Sequence, residues 1–226
     1  MVDDISTDEF LAHHGIKGMK WGVRRYQNPD GTLTAAGSLR YNKTANRIYE
    51  VAKDKEPTIT KDVVESIENA GGYAHGLEHR LKTADSIARK IDTKGVEHIN
   101  DALRYTSVSN NDNFVRNYNT IKNELSDKGY KEIKCKNYFD MYDKGLVKHK
   151  SVQSQFKDPT GYTFEIQFQT EQSQRAKDKK TPLYEEARSK DVTSSRKKEL
   201  EEQMVQLAEN VPTPKDIQTI LSHGGG

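Results

Sequence analysis

One stretch constrains the fold more than any other: KSVQSQFKDPTGYTFEIQFQT, residues 150–170. Two alternating runs flank Asp158-Pro159-Thr160-Gly161, whose residue types favour a tight turn, so the stretch reads as a β-hairpin. Side chains on a strand alternate between faces. In the second run Tyr162, Phe164, Ile166 and Phe168 therefore share one face, and Thr163, Glu165, Gln167 and Gln169 share the other. The first face demands a core. The second is polar and holds a carboxylate; it is covered either by solvent, as antiparallel sheets commonly are, or by a ligand.

A hairpin needs partners, and the flanking sequence offers helices and further strands. Leu39 to about Lys53 is helical in pattern, Pro57 breaks it, and Thr60 is the expected N-cap of a second helix over Lys61–Ala70, ended by Gly71-Gly72. A helix beginning near Thr83 or Asp85 and closed by Gly95 follows. Ile99–Val108 has the β-branched and aromatic content of a strand, Asn117–Lys128 reads as a helix closed by Gly129, and Lys131–Phe139 reads as another strand. Near the end, a helix capped by Ser194 or Ser195 carries Leu200, Met204, Leu207 and Val211 as its apolar stripe, with Pro212 just beyond it. The expected class is therefore α/β (α+β), a mixed β-sheet flanked by helices. Residues 1–37 differ: five glycines between Gly15 and Gly37 frame Ile16, Met19, Trp21, Val23 and Tyr26, which makes a loop-rich N-terminal module ahead of a domain over 38–226.

Charge narrows the function. With 36 Lys+Arg against 34 Asp+Glu the net charge is only +2, which excludes a polycation that holds nucleic acid by counterion release alone, so any anion site is local. No apolar run approaches the roughly 18–20 residues of a membrane span, and the acidic, polar N-terminus does not read as a signal peptide. The single cysteine, Cys135, fits a reducing, cytoplasmic setting and carries no expected chemistry; His13-His14 lack the partners a zinc site needs.

The candidate site follows from what phosphate chemistry requires: several cations, carboxylates for Mg²⁺, and flat side chains to hold a base. In His79–Ile91, HRLKTADSIARKI, the polar residues Arg80, Lys82, Ser86 and Lys90 alternate with apolar Leu81, Ile87 and Ile91. Arg104 follows on the next strand, and Lys136, Lys148 and Lys150 lie on or before the later ones. Asp101 and Glu165 are the candidate metal ligands, Tyr138 and His149 the candidate stacking groups.

The order of these pieces resembles the RelA/SpoT-type (p)ppGpp synthetases. RLKTADSIARK resembles the family's R-x-K-[ST]-x-x-S-[IL]-x-x-K helix, NDALRYTSV its Asp-containing strand ending in Arg, and KCKNYF its K-[DN]-Y strand. KHKSVQSQF and FEIQFQT resemble its G-Y-[KR]-S-[IL]-H and E-[IV]-Q-[IF]-x-T strands, and SQRAKDKKTPLYEEAR is similar to a divergent, toxin-like branch. The resemblance spans residues 79–170 and implies a nucleotidyltransferase-like domain that moves the β,γ-pyrophosphate of ATP, with Mg²⁺, to a ribose hydroxyl of a second nucleotide or of a tRNA 3′ end. On that basis Arg80, Lys82, Ser86 and Lys90 would hold the ATP phosphates, and Arg104 would pair with phosphate or stack on adenine. Asp101 would hold Mg²⁺; Glu165 would complete the metal site or deprotonate the attacking hydroxyl. Lys136, Tyr138, His149, Lys150 and Gln167 would serve the acceptor side. No hydrolase domain is expected, since the residues before Arg80 lack an HD-type His/Asp set.

Two positions depart from the family pattern. The Asp usually lies five residues before the Arg, where this chain has Ile99; Asp101 is one strand period, about 6–7 Å, further along. His149 stands where the family places a Tyr that stacks on the acceptor base, and Gln153 where it places a His. The N-terminal segment HHGIKGMKWGVRRYQNPDGTLTAAGSLRY resembles a segment common in phage structural proteins, which implies docking through residues 11–37 onto a phage head or virion protein; the alternative is a strap over the chain's own core. The expectation is a phage-encoded toxin or effector acting in the host cytoplasm, packaged in the particle where docking holds. Its rival is a phage structural or adaptor protein with a degenerate nucleotide site.

Overall fold

The computed structural model describes residues 34–143, 149–187 and 192–224. The N-terminal module expected over 1–37 lies outside the described residues but for its last four positions, of which Ala35–Gly37 open the first helix.

That helix, α1 (Ala35–Asn69), runs unbroken through Pro57, which corrects the expected break at Pro57 and the cap at Thr60. Proline in a helix interior removes a backbone bond and costs about 3 kcal/mol. The compensation is long-range: Ala45, Ala52, Ile59, Val63 and Ile67 are all buried at helical spacing, and burying each Val or Ile side chain contributes roughly 1.5–3 kcal/mol. Instead of capping, Thr60 shares a hydrogen bond of 2.8 Å with the Tyr105 hydroxyl across the core. Gly71, at φ 82°, ends the helix as expected.

The sheet has five strands in the order β1-β2-β5-β4-β3: β1 (Tyr73–Ala74), β2 (Arg104–Ser109), β3 (Lys131–Asn137), β4 (Val152–Lys157) and β5 (Thr163–Thr170). β2 and β5 run parallel and every other pair is antiparallel, so the sheet is mixed, as expected. The hairpin is where the alternation placed it. Its turn is held by Asp158, whose side chain accepts from the Thr160 and Tyr162 amides at 2.8 Å each, and by Gly161 at φ 96°. The apolar face packs against α1, whose Thr60 bonds Tyr105, and against α3 (Phe114–Asp127), whose Tyr118 meets Phe168 edge-on at 4.9 Å; within the sheet Tyr105 meets Phe164 at 6.0 Å.

Of the other boundaries, that of α2 stands as expected and three move. α2 (Ala84–Lys94) is capped by Thr83, whose side chain accepts from the Ser86 amide. β2 starts only at Arg104, so Asp101 is not on a strand; Leu81 bridges Leu103 and Arg104 N donates to Arg80 O, which folds residues 80–82 against 102–104. β3 ends at Asn137, and Tyr138 opens a short helix, α4 (Tyr138–Asp143), because Asn137 turns inward to bond Ile217 O and Ile220 O. Finally, α6 (Ser194–Glu209) is capped by Thr193 rather than Ser194 or Ser195. A helix with no expectation behind it, α5 (Glu171–Ala187), follows β5 directly and packs with α6 over the polar face of the sheet.

Candidate active site

Strand register assembles the site. Residues paired across neighbouring strands share a face, so Arg104, Glu165, Gln155 and Lys134 form one row across the sheet, and Thr106, Gln167, Gln153 and Lys136 form the next. The polar face is neither bare nor fully covered. Gln169 is buried under α5, accepting from Ser173 Oγ at 2.6 Å, whereas Glu165 is half-buried at the edge of open space.

Two cavities, each about 510 Å³, lie on this face. The first is a lysine trough in which Lys90, Lys94, Lys134 and Lys136 surround Glu165 and Tyr138. The second lies between the sheet and the α5–α6 pair; Arg104, His149, Lys150, Gln167, Lys177 and Lys180 line its polar side, while Met204, Val205, Ala208 and Val211 close it from above. Gln153 borders both. The expected acceptor residues are thereby divided, with Lys136 and Tyr138 in the trough and His149, Lys150 and Gln167 in the covered cavity. Across that division Tyr138 and His149 are together, their rings 4.2 Å apart at 43°. Lys150 donates to Val211 O at 2.6 Å and lies over the Tyr142 ring. Lys148 falls outside the described residues.

The cations expected to hold ATP are gripped from within the chain. Arg80 is paired by Glu56 of α1 and also donates to Leu77 O at 2.6 Å. Lys82 Nζ lies 2.9 Å from Asp101 Oδ2 and Lys90 Nζ 2.7 Å from Asp101 Oδ1, so one carboxylate holds two lysines. Ser86 bonds Thr83 and Arg89 at the start of α2, and neither it nor Arg80 lines either cavity. Ile99, the family's usual Asp position, packs against the core and offers no ligand.

Burial acts to raise the Asp101 carboxyl, but Lys82 and Lys90 overcome it and hold it below the usual carboxylate range. Burial and the nearby Arg104 push Lys82 down against the pull of Asp101 and Glu165. Lys177 is brought down to about 8 by burial and by Arg104. Burial, with Lys180 adding to it, lowers His149, which leaves its ring neutral and suited to stacking at neutral pH.

Among the described residues no cluster of three acidic, His or Cys side chains could cage a metal by itself. Mg²⁺ rarely needs one: it keeps several waters and takes one or two carboxylates beside substrate phosphates. Asp101 and Glu165 fit that role as a donor set, both close enough to Lys82 for its charge to respond to them. Glu165 has one oxygen, Oε1, engaged by Gln167 at 2.7 Å, while both oxygens of Asp101 are held by lysine.

Sequence reasoning missed Glu56, Lys94, Lys134, Lys177 and Lys180. Lys134 was findable, two residues before Lys136 and so on its face, as was Lys94, one helical turn after Lys90. Glu56 and Lys177 belong to a helix expected to be broken and a helix not expected at all.

The fold defined by this sheet and its flanking helices is that of the RelA/SpoT-like synthetases. Its solved likenesses include a chain of the complex between the type VI effector Tas1 and its immunity protein (19% identity, TM-score 0.50, covering 74% of this chain and 95% of that one). They also include small alarmone synthetase 2 from Bacillus subtilis (20%, TM-score 0.50, 73% and 91%) and a GTP pyrophosphokinase family protein from Streptococcus pneumoniae (14%, TM-score 0.50, 76% and 89%). A family model matches residues 3–28 alone, described as a family of unknown function, DUF7211. No curated protein sequence matches the chain. No described helix is long and apolar enough to cross a membrane.

Proposed function

We propose that the chain is a Mg²⁺-dependent pyrophosphokinase that transfers the β,γ-pyrophosphate of ATP to a ribose hydroxyl of a second nucleotide. One observation carries the reading: strand register and the folding of 80–82 against 102–104 bring Glu165, Asp101, Lys82, Lys90 and Arg104, drawn from distant parts of the sequence, to one end of a polar sheet face.

Each group has work to do in such a transfer. Lys82, Lys90 and Arg80 take the donor phosphates, exchanging their internal partners for phosphate oxygens. Arg104, whose side chain has no hydrogen bond or ion pair among the described residues, is left to face the donor. Glu165 receives the proton of the attacking hydroxyl as its oxygen bonds to the β-phosphorus; the bond from that phosphorus to the α,β-bridging oxygen breaks, and AMP leaves with the electron pair. Asp101 and Glu165 would hold Mg²⁺ beside the phosphates, and the ion would supply charge neutralisation on the transferred group. Lys134, Lys136 and the Tyr138–His149 pair hold the acceptor.

The likeness to a chain of the Tas1 complex supports an effector or toxin role, and the N-terminal segment, part of which matches a family of unknown function over residues 3–28, is read as the docking module. Deleting residues 1–33 tests the module: unchanged activity with lost binding to phage particles supports docking, whereas aggregation supports a strap. For the chemistry, the protein is mixed with γ-labelled ATP, Mg²⁺ and AMP, ADP, ATP, GDP, GTP or tRNA, beside Glu165→Gln. Label in an acceptor that vanishes in the variant is the expected result and names the acceptor. ATP binding without transfer overturns the reading and leaves an adaptor with a degenerate site.

A further inference from the structure

Lys177 is absorbed neither by the family motifs nor by the donor and acceptor assignments. It lies on α5, and its Nζ reaches down to the polar sheet face, donating to Gln167 Oε1 at 2.8 Å. Gln167 Nε2 in turn donates to Glu165 Oε1 at 2.7 Å. Lys177 makes no ion pair among the described residues. The charges that act on it are Arg104 from β2, Glu165 from β5 and its neighbour Asp178, with Lys180 and Glu201 lining the same cavity.

The chemistry of these three groups fixes the amide. An ammonium only donates and a carboxylate only accepts, so Gln167 can satisfy both in one orientation alone, with its oxygen toward Lys177 and its nitrogen toward Glu165. Gln167 is 6% exposed, so water does not offer it an alternative partner at low cost. Remove the lysine and the flipped amide, which sets oxygen against carboxylate, loses its main penalty from the other side. Protonated or neutral, a lysine amine still carries an N–H for Gln167, so the grip persists as Lys177 titrates near 8.

We propose that Lys177 is a positioning residue: through the Gln167 amide it holds Glu165 in the orientation that receives the acceptor proton, coupling the α5–α6 cover to the reacting carboxylate. This rests on the reading of Glu165 as the proton acceptor. It also assigns α5 a function beyond packing, since the helix docks on the sheet through Ser173 and Lys177 and only the second bonds the Gln167 amide, which in turn bonds Glu165.

The test compares wild type, Lys177→Met and Lys177→Arg by two readouts. In the labelled-ATP assay, Lys177→Met is expected to lower kcat by about 10–100-fold, as a misplaced proton acceptor does, with the KM for ATP within about threefold. Lys177→Arg, which can still donate to Gln167, recovers most of the loss. The second readout needs no activity: the Gln167 side-chain amide pair in a ¹⁵N–¹H spectrum, assigned by its disappearance in Gln167→Glu, moves to the position of an unrestrained amide in Lys177→Met and stays in Lys177→Arg. If no acceptor gains label in wild type while the amide behaves as stated, the functional reading fails and the positioning contact stands. An unmoved amide together with an unchanged kcat in Lys177→Met overturns the proposal. So does a rise in KM that Arg fails to rescue, which would mean that Lys177 touches substrate.

Discussion

Replacing Asp101 by Asn tests the cation clamp most directly. The change keeps the shape and one acceptor oxygen but removes the charge that faces Lys82 at 2.9 Å and Lys90 at 2.7 Å. At an effective dielectric of about 20, attraction at such separations amounts to roughly 5–6 kcal/mol per contact, much of it offset by desolvation. Removing one partner of a buried pair costs about 3–5 kcal/mol. Asp101 is 14% exposed but its lysines are 18% and 25% exposed, so water compensates part of the loss and about 2–4 kcal/mol remains. For a chain of this size that is a fall in Tm of about 5–15 °C by calorimetry. The sign with ligand is opposite to that expected of a simple damaged site. With EDTA present, ATP should raise the Tm of Asp101→Asn by more than it raises wild type, because phosphate meets two lysines no longer held by a carboxylate. Since the folded Asp101 carboxyl lies below its unfolded value, the clamp's stabilisation is complete above about pH 4 and is lost as the pH falls through the folded value, a step the Asn variant lacks. A Tm within about 2 °C of wild type, or a smaller ATP shift, refutes the clamp.

Other outcomes follow from single contacts. Pro57→Ala should stabilise by about 1–3 kcal/mol in urea unfolding, because Pro57 is exposed within a helix that is otherwise continuous. Tyr105→Phe should cost about 1 kcal/mol by the same method, since it leaves Thr60 without its cross-core partner. His149 is held neutral in the fold, so wild type loses stability as the pH falls below about 6.5, where the unfolded chain takes up the proton first; His149→Phe, which keeps a ring against Tyr138, should flatten that slope. Truncation after Lys215 removes the Asn137 partners Ile217 O and Ile220 O and the bridge from His223 to Cys135. It should lower Tm by several degrees and expose the β3 edge, read as concentration-dependent aggregation.

The hairpin was legible because every signal at 150–170 is local: a period of two, an Asx turn at Asp158 and a glycine at positive φ. Thr83 and Gly95 bracket α2 for the same reason. What the sequence hid depends on contacts remote along the chain. Pro57 announces a break by its own chemistry, and only the buried Ile59, Val63 and Ile67 on the far side of the helix reverse it. Asp101 reads as a strand carboxylate until Leu81 bridges Leu103 and folds it beneath two lysines. α5 carries little apolar periodicity and a proline, Pro182, so Lys177 gave no sign of facing the sheet.

The clamp also gives meaning to the displaced carboxylate. With Ile99 packed against the core, the chain's acid stands two residues later, where it meets Lys82 and Lys90 rather than standing apart from them. Arg80 is likewise matched to Glu56, and Lys177 to an amide oxygen. Phosphate binding on the proposed reading is therefore an exchange at Arg80, Lys82 and Lys90 and not an addition: each of these cations abandons an internal partner when the ligand takes it. A single phosphate that draws one lysine away leaves Asp101 half-paired and gains little, since the carboxylate keeps its other lysine but loses a charge-assisted contact. A triphosphate can engage Lys82 and Lys90 together, and in doing so frees both Asp101 oxygens for the ion that travels with the phosphates. Donor length and metal loading are thus coupled through one residue, so selectivity for ATP over AMP should narrow in Asp101→Asn while affinity for both, measured without metal, rises.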